Sequence, residues 1–408
     1  MRKDILSSIA VVALLLAGCG KGDSGNKSNG GNNVNNNGAT YDEAAERASF
    51  PPKTAYQAFL GNTHSHSLYS TDANTPATNG LPSDHYALAK ANGFDFYAVT
   101  DHVSVNDPGR TPYAIQLYGQ MALDATTPTF VGILGMEYTN NEENKVADGW
   151  GHINVFDSNG WFFIFDDWDH WNNWTNLGIT NPPPHTIREL YDWMCQSDNA
   201  ACVASFNHPS KTQFNSFAVY NTGALDHITM FEIYTASTSY YAYYKTALAK
   251  GWKLAPITAM DNHTLAPITT TQYRTGVMAE SLTFDNIMDA MRHRRAYASM
   301  YKALHILCYG NNEPMGSVLD NPPVLYIDVD INDGQTDDPG HNITKIEVIG
   351  SAATDNVIAT KTFDAPSHSA SCSFRIANID QKYYFLKIYS QGMGTAPCAY
   401  TAPIWSGK

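Results

Sequence analysis

An α/β barrel of βα units followed by a β-sandwich is the fold this 408-residue sequence predicts. Three observations point to it. From about Tyr56 to Tyr301, short apolar runs alternate with helix-like segments. Most of those runs end directly on a histidine or an acidic residue. After about Tyr301 the helical interludes stop, and alternating strands separated by turn residues fill the last hundred or so positions.

The chain opens with Arg2 and Lys3 ahead of an apolar stretch, Ile5 to Leu16, the layout of a secretory signal peptide and too short for a permanent membrane span. Leu16-Ala17-Gly18-Cys19 resembles a bacterial lipobox. Residues 1–18 are therefore expected to be a lipoprotein leader, with Cys19 the lipidated first residue of an exported, membrane-anchored protein. Residues 19–45, mostly Gly, Asn and Ser, cannot bury enough apolar area to offset chain entropy and read as a tether.

The folded remainder exceeds what one core usually serves, so a barrel over 46–301 and a sandwich over 302–408 are expected. The formal net charge of -14 argues against a nucleic-acid surface. Cys195 and Cys202 lie close together, and Cys308 and Cys398 bracket the last hundred residues; disulfides and free buried thiols both remain open.

Within the barrel, strands are drawn over Tyr97 to Thr100, Phe130 to Met136, His152 to Phe156, Cys202 to Asn207, Ile228 to Tyr234 and Leu254 to Met260. Helices fit Ser83 to Asn92, Ile187 to Cys195, Tyr240 to Lys250 and Thr283 to Arg294. Reactive groups in such barrels gather where strands end. His64 and His66, two apart, share a face if Thr63 to Ser67 is extended. The next runs deliver Asp101 and His102, then Glu137, then His208, then Asp261 and His263, with His152 opening its own strand. Asp101 is placed to fix an imidazole tautomer from the second shell of ligands.

This order of motifs resembles the polymerase-and-histidinol-phosphatase (PHP) superfamily: His-X-His, Thr-Asp-His, a lone Glu, two single His and a closing Asp-X-His. Arg274-Thr275-Gly276-Val277 and Arg294-Arg295-Ala296-Tyr297-Ala298 resemble its secreted members, the carbaryl-hydrolase-like branch. The resemblance implies a distorted (β/α)7 barrel with an immunoglobulin-like β-sandwich behind it. It implies two or three divalent ions (zinc, manganese or iron): His64, His66, Glu137 and Asp261 on one, Glu137, His152 and His208 on another, Asp72, His102 and His263 on a third. Asp72 stands where several relatives have His.

Three divalent cations against three carboxylates would leave such a centre positive, so an anionic substrate suits it. The expected reaction is hydrolysis of a small phosphate ester by a metal-bridging hydroxide, with Glu137, Asp101 and Asp261 as catalytic groups. An amide, carbamate or carboxylic ester hydrolase on the same centre, and a non-catalytic surface binding protein, are the alternatives. Arg274 and Arg110 are the candidate substrate grips, and the insertion Trp161 to Trp174 a candidate wall over the metals. The basic run Arg292-His293-Arg294-Arg295 is accounted for by the C-terminal end of a helix.

Overall fold

The computed structural model describes residues 33–34, 40–70, 72–104, 112–140, 149–158, 186–210, 213–352 and 354–408. Cys19, Arg110 and the segment Trp161 to Trp174 lie outside the described residues. Met1–Ser49 and Phe50–Lys408 are two separate compact units. In the first, Asn33–Val34 pairs antiparallel with Thr40–Tyr41, and a short helix, Glu43–Arg47, is capped by Asp42, whose side chain accepts from the Ala45 N–H at 3.1 Å. Among the described residues no helix is long and apolar enough to cross a membrane.

The larger unit starts with β1 (Gln57–Asn62), α1 (Pro82–Ala91), β2 (Phe96–Val99), β3 (His102–Ser104), α2 (Pro112–Ala125) and β4 (Val131–Asn140). It continues with β5 (Gly151–Phe156), α3 (Ile187–Met194), β6 (Val203–Asn207), β7 (Ile228–Thr235), β8 (Thr238–Ser239), α4 (Tyr241–Ala249) and β9 (Ala255–Ala259). Then come β10 (Arg274–Ala279), α5 (Phe284–Arg292) and β11 (Ala296–Ser299). β2, β6, β9 and β10 are buried at every position, which is why they read as continuous apolar runs instead of alternating ones.

The helices carry their own start signals. Thr186 and Glu189 form a capping box at α3, and the Thr283 hydroxyl accepts from the Asn286 N–H at α5. Pro82 opens α1, where a missing N–H costs nothing.

The main sheet runs β8-β7-β6-β5-β4-β2-β1-β10-β11, with β3 beside β4 and β9 beside β7. β1, β2 and β4 are mutually parallel, as are β6, β7 and β9. The path returns toward its start: a parallel bridge joins Ser65, beyond β1, to Asn262, beyond β9.

The βα repeat fails at β5, which is antiparallel to both β4 and β6. Only residues 141–150 link β4 to β5, too few for a parallel crossover with its helix. β10 is likewise antiparallel to β1 and β11.

The C-terminal part adds β12 (Leu304–Gly310), β13 (Leu325–Asp333), β14 (Ile343–Gly350), β15 (Asn356–Ser367), β16 (Ser369–Ile376), β17 (Tyr383–Ser390) and β18 (Pro397–Thr401). β18 pairs with β11, so β18-β17-β14-β15 prolongs the main sheet, while β12-β13-β16 form a separate one. One apolar core runs from Leu60 and Phe96 through Ile287 and Tyr297 to Ile327, Ile346 and Leu386. The edge strand β15, with Lys361, Asp364 and Pro366, is largely exposed, which protects an open edge from pairing.

All five cysteines among the described residues are free thiols, including Cys195 and Cys202. Burial pushes the Cys202 thiol up to about 12, so it is inert.

Candidate metal centre

The structure brings His64, His66, Asp72, His102, Glu137, His152, His208, Asp261 and His263 together in four overlapping groups. Each group has ligand atoms lying within 4.8 Å of one another.

The local chain explains how. Asn62, at the end of β1, donates to the His64 carbonyl at 2.8 Å and accepts from the Met260 N–H at 3.0 Å. The His66 N–H reaches the Asn262 carbonyl at 2.9 Å, and the Asp261 N–H the His64 carbonyl at 3.1 Å. First and last motifs are thus stitched by main chain. Two of the gathered residues sit in left-handed backbone, Asp261 at φ 48° and His208 at φ 27°. Strain of this kind outside glycine persists only where surrounding contacts enforce it.

Glu137, fully buried, sits at the centre. Its Oε1 lies 3.3 Å from His64 Nε2, 3.2 Å from His152 Nδ1 and 3.3 Å from His208 Nε2. The Asn207 amide donates to the same oxygen at 2.9 Å. Oε2 lies 2.9 Å from His102 Nδ1 and 3.4 Å from His66 Nε2, yet has no hydrogen bond of acceptable geometry. On the outer side, Asp72 Oδ2 meets His102 Nε2 at 2.9 Å and His263 Nε2 at 2.8 Å. The His66 ring stacks against those of His102 and His263, with centroids 4.5 and 4.4 Å away.

Whether these donors fit a metal is decided at His64. Its Nδ1 lies 2.8 Å from Glu232 Oε1, so in the neutral ring that nitrogen carries the proton and Nε2 presents a lone pair. That Nε2 lies 3.0 Å from His66 Nε2 and 3.3 Å from Asp261 Oδ1. With neutral rings acceptors converge there without a donor between them, an arrangement that a bound cation, or a proton in its place, resolves.

The electrostatics agree. Burial works against a charged His64, but Glu137, Glu232 and Asp261 outweigh it and raise its pKa well above the ordinary imidazole value. Burial also opposes charge on His102, yet Glu137 and Asp72 raise it to about 10. Glu137 is held far below the usual carboxylate range: burial pushes it up, and His64, His102 and His152 pull it down further. The cavity attracts positive charge.

His152 and His208 both lie on Glu137 Oε1, as one shared set would require, and each also falls in a further group, His152 with His102 and His208 with His64. The antiparallel β5 sets His152 opposite Thr139, whose hydroxyl meets His102 Nδ1 at 2.5 Å. The Asp101 oxygens receive the Ser67 N–H at 2.5 Å and the Ser67 hydroxyl at 2.7 Å, bracing the loop that carries His66.

Arg274 is not brought to the cluster. Its guanidinium lies 3.4 Å over the Phe94 ring and donates to the carbonyls of Tyr273 at 2.8 Å and Thr271 at 3.3 Å. The basic run also divides differently. Arg292 closes α5 and reaches the Ala201 carbonyl, while Arg295 is buried against Asp289.

Glu232 was not foreseen. Besides His64 it accepts from the His208 N–H at 2.8 Å and the Thr235 hydroxyl at 2.8 Å, orienting two of the nine residues at once. A carboxylate inside the apolar run Ile228 to Tyr234 was its available signal. Ser70, between His66 Nδ1 and Asp72 Oδ1, had none.

No protein-family model matches the chain, and no curated protein does. Solved structures with similarity include a two-domain protein from Bacteroides vulgatus described as containing a predicted PHP-like metal-dependent phosphoesterase. It is 13% identical, with a TM-score of 0.43, over 87% of this chain and 98% of that one. Another is the lesion-specific endonuclease EndoQ of Pyrococcus furiosus, 12% identical, TM-score 0.35, over 58% of this chain and 56% of that one. A third is an amidohydrolase from Chromobacterium violaceum, with bound sulfate and no metal, 14% identical, TM-score 0.30, over 50% and 87%.

Proposed function

We propose that the chain is a metal-dependent hydrolase of phosphate esters, built on a distorted barrel of PHP type with a β-sandwich behind it. The observation that carries this reading is the gathering of nine donor side chains, Glu137 among them, with the His64 and His66 Nε2 atoms facing each other at 3.0 Å.

Because each imidazole offers one lone pair to one ion, the overlapping groups would be shared out, with His64, His66 and Asp261 on one ion, Glu137, His152 and His208 on another, and Asp72, His102 and His263 on a further one. Bound divalent ions would supply Lewis acidity and a water ionised near neutral pH. The protein's own part is orientation. Glu232 sets His64 so that Nε2 faces inward, Asn207 holds Glu137, and Asp101 braces the His66 loop. More than two ions suit the several charges of a phosphoryl group better than a neutral acyl group.

The position of Arg274 favours a second reading, hydrolysis of an amide, carbamate or carboxylic ester on the same centre. A phosphate grip would have called that guanidinium to the metals, and it is committed elsewhere. The test is a substrate panel on manganese- or zinc-loaded protein: p-nitrophenyl phosphate, its diester and an aryl carbamate. Phosphate turnover at least tenfold above carbamate turnover is expected; the reverse order would establish the second reading. Export and anchoring through Cys19 belong to the same proposal and rest on the leader alone.

A further inference from the structure

A cavity of about 530 Å³ opens beside the cluster, with Asp261 and His263 in its wall. Its volume is that of a small-molecule site. Apart from those two residues nothing in its lining is charged, and no lysine or arginine is among the described residues that form it. Ser237, Thr270 and Tyr273 bring hydroxyls, Gln272 an amide, and Pro267 with the Tyr273 ring an apolar face.

One wall is held at a conformational cost. β7 and β8 are joined by a two-residue turn, Ala236-Ser237, with Thr235 paired to Thr238. Both turn residues have positive φ, 45° and 76°. Hairpin turns of this form are normally made by Asn-Gly or similar pairs, because a Cβ is strained there. The turn brings the Ser237 hydroxyl to 3.2 Å from that of Tyr273, and the Tyr273 ring is fixed edge-to-face against Tyr234, centroids 5.1 Å apart. An outlier that builds a cavity wall beside reactive groups points toward function.

We propose that this cavity is the leaving-group subsite and that it takes a neutral, polyhydroxylated ring such as a sugar, with Ser237, Gln272 and Tyr273 determining specificity. The inference rests on the reading of Asp261 and His263 as metal-holding residues. The reacting ester sits at the charged cluster, so the part of the substrate entering the cavity meets only neutral donors and acceptors. A ring with a hydroxyl rim and a C–H face satisfies both the amide and hydroxyls and the apolar surface. A second anionic group would find no lysine or arginine among the described residues of the lining.

Two measurements on the full-length, metal-loaded protein test this. Saturation-transfer NMR with methyl glucoside, galactoside and mannoside reads the subsite without turnover. Binding of at least one is expected, weakened about tenfold in Gln272→Ala and Tyr273→Ala. Both substitutions are made where the side chain is exposed or half-buried, so folding is preserved. The second measurement is the ratio of kcat/KM for hexose phosphates over phenyl phosphate; it should exceed one and fall about fivefold to tenfold in Gln272→Ala and Ser237→Ala. Absence of binding by every glycoside, or binding and ratio unmoved by the substitutions, overturns the subsite. Glycoside binding lost in the variants, with no phosphate ester hydrolysed, overturns the reaction and leaves the subsite standing.

Discussion

Around Glu137, imidazole nitrogens face one another and share carboxylate oxygens. Around Asp333, in the C-terminal part, His341 Nδ1 meets one carboxylate oxygen at 2.9 Å, and the other oxygen takes the Gln335 N–H at 2.8 Å. The His341 ring lies flat on Tyr301, centroids 3.7 Å apart, and the Tyr301 hydroxyl pairs with that of Ser390 at 2.6 Å. Both clusters are buried and both combine histidine with carboxylate. In the second the donors and acceptors match with neutral imidazole; in the first they match only once positive charge, a bound cation or added protons, is supplied.

The largest expected effect separates them directly. Glu137→Gln should lower hydrolysis by about 10²–10³-fold and reduce the metal content measured by plasma mass spectrometry. His341→Gln should leave metal content unchanged. Next, chelation should lower the melting temperature and returning the ion should restore it, the ion adding about 2.7 kcal/mol of stability at a hundred times Kd. Calorimetry should find the same increment in His341→Gln, because that cluster has no place for an ion.

Glu232→Gln should weaken metal affinity about 10–100-fold in a competition titration, since His64 loses the carboxylate that sets its tautomer. His85 sharpens the contrast through pH. Fully buried behind the His66 loop, with Nε2 2.8 Å from Asn79 Oδ1, it is lowered by burial to about 4. The unfolded chain takes that proton near pH 6.5, so between pH 6.5 and 4 the unfolded state binds more protons and stability falls as pH falls. Denaturation at several pH values should show His85→Phe losing less across that window, by about 1.4 kcal/mol per pH unit at most. The smallest effect is the stability cost of His341→Gln itself, about 1 kcal/mol in urea denaturation.

Most strands and helices before about residue 301 were legible because their apolar runs are continuous and their caps are explicit, as at Thr186 and Thr283. Seven strands were not, among them β3 and β8, which are three and two residues long. β1 and β10 carry Gly61 and Gly276, small positions that admit the rings of Phe96 and Tyr297 and lack a strand's usual apolar signal. β11 is only four residues long. β15 is polar because it is an edge, and β18, Pro397–Thr401, begins with a proline. The continuity of β11 with β18 was also invisible, since that register depends on a partner a hundred residues away.

Residue type and spacing alone established the nine candidate ligands, because a histidine or carboxylate at the end of an apolar run needs no distant information to be noticed. Three-dimensional packing decided that they gather in one place, that Glu232 stands behind His64, and that Arg274 turns to Phe94. Those outcomes depend on strand direction and on contacts between residues far apart in the chain. The antiparallel β5 and the neighbours of a buried guanidinium are properties of the assembled sheet, so no local pattern could encode them.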